Sequence, residues 1–209
     1  KKIFPTLDVN DYFELGKLCV KDKCPKNTES YFISQCIKLI QKELPKLKIL
    51  FSWADGIIGK PGYVYQCSNF YYGGFIWTEM YLDANGNRVH PRSMQGISTG
   101  DKAEGTKFKS RAYDITKNMG YTKYFGLQFR YVYPLCNKKE WKTILQSSPY
   151  TWTRNNYPKD INCLWKIQKA KGIIEKCAMP PFVITEYVKK VDKVDRSMVN
   201  LFFNERKEN

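Results

Sequence analysis

The sequence lacks the patterns that assign a chain to several common classes. Its seven cysteines are scattered without a CxxC pair, which argues against a disulfide framework or a zinc site and is typical of a reducing cytoplasm. No run approaches the roughly 18 apolar residues of a membrane span, and no signal peptide is visible. The motifs GxxxxGK[ST], GxGxxG and GxSxG are absent, so nucleotide hydrolysis, dinucleotide redox chemistry and a serine triad are poorly supported.

Acidic residues are scarce beside basic ones. The 209 residues include 35 Lys and Arg against 20 Asp and Glu, which gives a net charge of +15, and 15 % of the residues are aromatic. An excess this large favours a polyanionic partner, most often nucleic acid, although solvated lysines alone would give the same composition. The length predicts one domain, with a core over residues 1–146 and a basic extension over residues 147–209 packed on it.

The order of the predicted elements indicates an α/β or α+β fold with helices on a mixed sheet. We predict strands over residues 12–20, 49–54, 71–82, 88–92 and 127–135, the third broken at Gly73-Gly74. We predict helices over residues 28–44, 63–70, 107–118, 138–145, 163–177 and 186–203, so the C-terminal extension is expected to be helical. Asn85-Gly86 is a strong hairpin signal.

Residues 48–74 join a buried strand, a Gly-rich loop and a helix start, which is a frequent scaffold for a site. Asp55 ends the strand, where its carboxylate can accept a proton or orient a nucleophile, or can simply cap the loop. Tyr65 lies on the short helix, where a phenol can donate a proton to a leaving group, or can be a packed aromatic. We group Ser52 with these two as candidate catalytic residues.

Other polar and aromatic residues are candidates for contact with a substrate or DNA. Lys60 lies in a weak Gly-Lys-Pro-Gly anion motif, and His90, the only histidine, favours substrate contact or a turn over catalysis. Aromatic rings near the loop can stack on an unpaired base, worth ~1–3 kcal/mol per base, or can fill the core. The candidate contacts are Lys60, Tyr63, Gln66, Asn69, Tyr72, His90 and Arg92.

The start of the helix at Asn27 is flanked by lysines, which suits a phosphate, although an ordinary capped helix with solvated lysines is the favoured interpretation. One histidine and scattered cysteines cannot form a familiar metal centre, so we predict no metal ligands. An iron site made of carboxylate and tyrosine ligands stays open.

Three segments resemble the Mom-type DNA modification proteins of bacteriophages, which belong to the GNAT acyltransferase superfamily. The segments are SWADGIIGKPGYVYQCSNFYYGG, NGNRVHPR and QFRYVYPL, and the resemblance reaches back to PKNTESYFIS and covers about residues 12–136. It implies an enzyme that converts adenine in DNA to an N6-carbamoylmethyl form, in which Asp55 and Tyr65 are catalytically required. It also implies further sequence upstream of Lys1.

The resemblance implies a GNAT-like sheet in which a bulged first strand meets an acyl donor, either acetyl-CoA or a glycine-derived donor. The donor would bind at Gly16, Lys17, Lys26, Asn27 and Thr28. The partner would be double-stranded DNA with a flipped adenine, in the cytoplasm of a phage-infected or prophage-bearing bacterium. Two alternatives stay open: an acetyl-CoA-dependent GNAT acetyltransferase of a protein or small amine, and a non-catalytic nucleic-acid-binding module.

Overall fold

The computed structural model describes residues 2–21, 24–93, 113–183 and 185. Within them the chain forms an open, mixed α+β structure built on one seven-stranded sheet. The strands are β1 (Tyr12–Glu14), β2 (Ile49–Ala54), β3 (Tyr71–Leu82), β4 (Arg88–Val89), β5 (Thr122–Pro134), β6 (Trp165–Ala170) and β7 (Ile173–Cys177). The helices are α1 (Thr28–Glu43), α2 (Tyr63–Cys67), α3 (Tyr113–Asn118) and α4 (Lys138–Ser147).

The long strand β5 is the centre of the sheet. Along one edge it pairs antiparallel with β3, while its other edge pairs with β2 near one end and with β6 near the other. A short 3-10 turn, Gly56–Ile58, follows β2 beside β5, and the Trp165 Nε1 group donates to the Ile57 carbonyl at 2.8 Å. Asp55, the residue directly after β2, therefore lies beside the middle of the central strand.

Two apolar clusters form because alternate residues of a strand point to opposite faces of the sheet. The first contains Leu50 and Ala54 of β2, together with α1, α2 and the β5 residue Tyr131. The second contains Ile49 of β2 and is covered by Trp141 of α4. Strand β2 is thus covered on both sides, which explains why its sequence is almost continuously apolar.

The predicted break in β3 is a β-bulge. The register with β5 shifts between Tyr72 and Phe75, and Gly74 has a φ of +79°. A Cβ at Gly73 would lie 2.2 Å from the Trp152 ring, so only glycine fits against that side chain. The Gly73-Gly74 pair therefore bends β3 without ending it.

Some predicted elements are wrong. Residues 163–177 form no helix but the β6–β7 hairpin, because Trp165 and Ile167 alternate with polar residues and Gly172 turns the chain at a φ of +77°. The first strand ends at Glu14 rather than residue 20, and β4 ends at Val89, because its pairing with β3 covers only two residues.

Other predictions concern segments that the structure describes in part or not at all. Predicted helix 186–203 lies outside the described residues, as do residues 107–112 of the helix that contains α3. The proposed boundary after residue 146 stays a prediction, although Trp152 stacks on Phe4 at 5.1 Å and Thr153 bridges to Tyr72. Among the described helices, none combines the length and the apolar character needed to cross a membrane.

Candidate active site at the end of strand β2

Pairing between the parallel strands β1 and β2 stops just before Gly16. The last backbone bond runs from the Leu15 N–H to the Phe51 carbonyl at 2.7 Å, and the Ser52 hydroxyl then donates to the Leu15 carbonyl at 2.8 Å. A Cβ built on Gly16 would meet nothing within 4 Å. The fully buried Ser52 side chain therefore provides a hydrogen-bond partner for the Leu15 carbonyl at the point where pairing between β1 and β2 ends.

Tyr65 lies next to this point on α2 and is 7 % exposed. Its ring packs against Phe70 and Tyr131, each at a centroid distance of 5.3 Å. Burial raises the pKa of Tyr65, a hydrogen bond with Ser52 opposes that rise, and the nearby negative charges of Asp55 and Glu14 add to it. The phenol therefore keeps its proton at neutral pH, as a general acid must.

Asp55 lies exposed just beyond the last residue of β2. Its backbone carbonyl accepts from the N–H groups of Ile58 and Lys60, both at 3.1 Å, which closes the turn. Its carboxylate accepts from the Gln128 Nε2 group at 2.9 Å. The carboxylate is thus oriented by the central strand β5, through a residue that the sequence analysis did not single out.

The Gly-rich loop, residues 55–62, is held in place by hydrogen bonds to its Pro61 carbonyl. The Pro61 carbonyl accepts a hydrogen bond from the Tyr131 hydroxyl at 2.5 Å and a longer one from Gln66 at 3.4 Å. Gly62 has a φ of +94°, and a Cβ there would lie 2.6 Å from the Tyr131 ring and 2.8 Å from the Ala54 Cβ. The loop between Asp55 and α2 is therefore held in one conformation.

An open cleft of about 520 Å³ lies beside Asp55. Its lining combines apolar side chains, hydrogen-bonding groups and one arginine: Asp55, Ile58, Met80, Arg88, Val89, His90 and Ser93. His90 accepts a hydrogen bond at Nδ1 from the Arg92 N–H at 3.1 Å. The hairpin of β3 and β4 therefore places the only histidine in the lining of the cleft that also contains Asp55, whereas Tyr65 is not part of that lining.

The predicted substrate contacts divide into surface and interior residues. Lys60, Tyr63, Asn69 and Arg92 are exposed, and Tyr72 is half-buried. Asn69 has a φ of +60° just after α2. A left-handed residue there ends the helix, which is a local structural role for asparagine that does not need DNA.

Gln66 is a buried structural residue in this fold. Its Nε2 group lies 3.0 Å from the Tyr131 hydroxyl and 2.9 Å from the Pro158 carbonyl, and its Oε1 accepts from Lys159 at 3.3 Å. An amide with these internal partners has little hydrogen-bonding capacity left for a nucleotide.

Of the residues predicted for the donor, Gly16 and Lys17 follow β1, whereas Lys26, Asn27 and Thr28 lie at the start of α1. Lys17, Lys26 and Asn27 are exposed, and Thr28 donates from its hydroxyl to the Pro25 carbonyl at 2.7 Å. Asn27 precedes the helix as predicted, but its φ is +69° and its side chain makes no capping bond, so the predicted side-chain cap is wrong. The left-handed backbone there, which asparagine tolerates, replaces the extended conformation that a side-chain cap uses.

Arg130 is a third residue, besides Gln128 and Glu14, that sequence reasoning missed. It is 5 % exposed and donates from Nη1 to the Gly73 carbonyl at 2.8 Å and from Nη2 to the Phe75 carbonyl at 3.0 Å. The Tyr150 ring stacks on its guanidinium at 3.9 Å. The buried cation therefore fixes both sides of the β3 bulge, and its only sequence signal was a lone arginine in an apolar strand.

Comparison with known proteins decides the family. The model of the Mom protein family matches residues 1–159. The chain belongs to the Mom protein family. It is 32 % identical over 100 residues to Methylcarbamoylase mom of Escherichia phage Mu, an alignment that covers 48 % of this chain and 41 % of that protein. The chain thus matches about two fifths of the length of this curated relative.

Membership of the Mom family confirms the resemblance read from the sequence at the level of the family. The assignment to the GNAT superfamily and the roles of individual residues stay predictions. Within the described residues, no three His, Cys, Asp or Glu side chains come together as metal ligands. The iron site with carboxylate and tyrosine ligands stays a prediction.

Proposed function

We propose that this Mom-family chain is a DNA-modifying enzyme of the GNAT acyltransferase type that places a carbamoylmethyl group on the N6 amine of adenine. Membership of the family supports modification of DNA, and the printed name of the phage Mu relative, a methylcarbamoylase, supports the group transferred. The observation that carries the proposal is the hydrogen bond between Tyr65 and Ser52 at the end of β2, within the electrostatic reach of the Asp55 carboxylate.

The cleft beside Asp55 receives the target adenine. A base inside a duplex cannot be reached by side chains that must act on its amine, so the nucleotide is extruded first. The walls at Ile58, Met80 and Val89 offer apolar surface to the base, and the cleft volume of about 520 Å³ accommodates a nucleotide. The Asp55 carboxylate is the acceptor in that wall suited to an exocyclic N–H group.

Asp55 acts as the general base. The bond that forms joins adenine N6 to the transferred carbon, and the proton that N6 loses passes to the Asp55 carboxylate. The hydrogen bond from Gln128 fixes the direction of that carboxylate. Because the adenine amine is a poor nucleophile, much of the rate must come from this positioning and from exclusion of water.

Tyr65 acts as the general acid. The bond that breaks joins the transferred carbon to the leaving group of the donor, and the phenol supplies a proton to that leaving group. Burial, which raises the pKa of Tyr65, keeps this proton available. The transferred carbon is the methylene of the carbamoylmethyl group, which a glycine-derived donor can supply together with its carboxamide, whereas acetyl-CoA would supply an acetyl group and belongs to the acetyltransferase alternative.

The donor is proposed to enter where β1 and β2 cease to pair. The open space at Gly16 and the exposed Lys17 and Lys26 suit an acidic, phosphate-bearing molecule. Lys60 and Arg92, both exposed and each within two residues in sequence of a residue that lines the cleft, are proposed to hold DNA phosphates, as the net charge of +15 favours.

The test is mass spectrometry of nucleosides digested from plasmid DNA that was co-expressed with the protein. We expect wild type to yield a modified deoxyadenosine whose added mass identifies the transferred group. Asp55→Asn should lower the yield at least about 100-fold, the scale of a lost general base, while DNA binding in a gel-shift assay is retained. Asp160→Asn, a matched change at another exposed aspartate, should leave the yield unchanged.

Each other outcome points to a different function. Unmodified DNA from cells with wild-type protein, together with DNA binding in vitro, would make the chain a non-catalytic binding module. An acetylated protein or small amine in place of a modified nucleoside would make it a conventional acetyltransferase.

A further inference from the structure

One edge of β3 is open in the part of the chain that the structure describes. That edge is engaged at its ends, where Tyr72 bridges to Thr153 through two backbone bonds of 2.8 and 2.9 Å and where Tyr81 and Leu82 pair with β4. No described strand pairs with the edge over residues 73–80. Proteins normally cover, charge or shorten such an edge because it invites association, so an open edge needs a reason.

Three consecutive large apolar residues lie exposed on this edge. The exposed fractions are 47 % for Phe75, 38 % for Ile76 and 40 % for Trp77. Since neighbouring residues of a strand point to opposite faces, the apolar surface of these three residues extends over both faces of the sheet at this edge. We call Phe75–Trp77 the blade. The three residues span about 7 Å of strand, roughly two steps of a base stack.

Hydrogen bonds to the backbone hold the start of the Phe75–Trp77 segment in place. It begins directly after the bulge, where Arg130 donates to the carbonyls of Gly73 and Phe75 and is stacked by Tyr150. A buried guanidinium with two carbonyl partners and an aromatic lid leaves the backbone little freedom. The backbone at the start of the blade is therefore held in one position.

One cation contacts Trp77, and two more lie along β3 beyond the ends of the blade. The Lys166 Nζ atom lies 4.0 Å from the Trp77 ring centroid, Arg154 stacks on Tyr71 at 4.0 Å near one end, and Arg88 is exposed near the other. The one acidic residue of β3, Glu79, forms an ion pair with Lys123 at 2.5 Å. An apolar centre with a cationic rim matches stacked bases between phosphate backbones, whereas a second copy of the chain would bring like charges together.

The blade lies next to the candidate active site. Ile76 is the cross-strand partner of Gln128, and Gln128 holds the Asp55 carboxylate at 2.9 Å. Further along the same strand, Met80 lines the cleft that contains Asp55. The apolar blade is thus one strand away from the carboxylate that acts on the base.

We propose that the Phe75–Trp77 blade enters the DNA base stack and fills the space that the extruded adenine leaves. This proposal rests on the proposed function, because it assigns the surface that opens the duplex for that reaction. Apolar wedges inserted between base pairs unstack them at a cost of a few kcal/mol per step, and the inserted side chain replaces the lost stacking.

The test compares duplex DNA with heat-denatured DNA of the same sequence, in a bacterial extract that supplies the donor, and measures the rate of nucleoside modification. The combined variant Phe75→Ala, Ile76→Ala, Trp77→Ala should lose about tenfold or more on the duplex. It should lose much less on denatured DNA, where no stack has to be opened. Ile76→Ser should show the same contrast more weakly, and Ile76→Met, which keeps a large apolar side chain, should lose less of the duplex rate than Ile76→Ser.

Leu39→Ala is the matched control, since Leu39 is 59 % exposed on α1 and should leave both rates unchanged. An equal loss on both forms of DNA, or no loss on either, would overturn the blade while leaving the proposed function intact. A wild-type dimer that becomes monomeric in the combined variant, with an unchanged duplex rate, would assign the edge to a second copy and also overturn it. Failure of the wild type on both substrates would instead reject the proposed function.

Discussion

Single side chains at the candidate site are tuned by burial more than by neighbouring charge. Burial raises the pKa values of Tyr65 and Tyr131 above the ordinary value of 10.0. A tyrosine whose pKa is higher in the folded state contributes stability that is complete below pH 10 and is lost as the pH rises further, because the unfolded chain ionises first.

This sign gives a prediction for Tyr131, whose hydroxyl donates to the Pro61 carbonyl. Tyr131→Phe should lower the free energy of unfolding by about 1–3 kcal/mol near pH 8, because a buried carbonyl loses its closest partner. The difference from wild type should shrink above pH 10, where ionisation of Tyr131 in the unfolded chain already weakens the wild type. Urea unfolding of both proteins at pH 8 and pH 10.5 measures this.

Tyr31→Phe, on the exposed side of α1, is the control for the alkaline series. A difference between wild type and Tyr131→Phe that grows with pH would show that the Tyr131 phenol ionises more readily in the folded state, contrary to its burial.

At the scale of the elements, the turn between β2 and α2 sets the position of the site. Its conformation depends on Gly62, which combines a φ of +94° with close contacts on two sides. Gly62→Ala should lower the free energy of unfolding by roughly 2–5 kcal/mol, from left-handed strain together with overpacking. Thermal or urea unfolding followed by circular dichroism measures the loss.

Gly86→Ala separates the two causes, since Gly86 has a φ of +83° but nothing within 4 Å of a Cβ. It should cost about 1–2 kcal/mol from backbone strain alone. Equal losses in the two variants would mean that the packing of Tyr131 and Ala54 does not constrain the turn.

Local sequence patterns correctly predicted the elements whose signals lie within one short stretch of the chain. The apolar run of β2, the 3.6-residue period of α1 and the Gly-Gly break in β3 were each readable in one stretch. The β6–β7 hairpin was missed because a basic segment with few apolar residues fits a helix about as well as two short strands. The turn at Gly172 was the signal that favoured the hairpin.

Only the part of the candidate site that lies within one stretch of sequence could be predicted. Ser52, Asp55 and Tyr65 lie within 14 residues of one another, so their proximity follows from one strand, one loop and one helix. The bond from Gln128 to Asp55 joins residues 73 positions apart and depends on the register of β2 with β5. Strand pairing, which no local pattern specifies, creates that contact.

At the scale of the whole molecule, the charge of +15 should dominate binding to DNA. Neutralising each phosphate releases counterions, so six contacts would lower affinity about a thousandfold between 50 and 200 mM salt. Lys60→Ala should reduce the slope of log affinity against log salt by about one, whereas Lys42→Ala, at the end of α1, should not. Filter binding across a salt series measures the slope, and an affinity independent of salt would contradict a DNA-binding surface.

The central claim is that one carboxylate and one phenol at the end of β2 act in the same transfer step, the carboxylate on the adenine amine and the phenol on the leaving group of the donor. Nucleoside mass spectrometry of plasmid DNA from cells that express Tyr65→Phe tests it most directly, because this change removes a single oxygen atom from a buried ring. With Tyr31→Phe as the control at the wild-type level, we predict that Tyr65→Phe binds DNA with wild-type affinity and leaves adenine unmodified. A wild-type yield of the modified nucleoside from Tyr65→Phe would contradict the account.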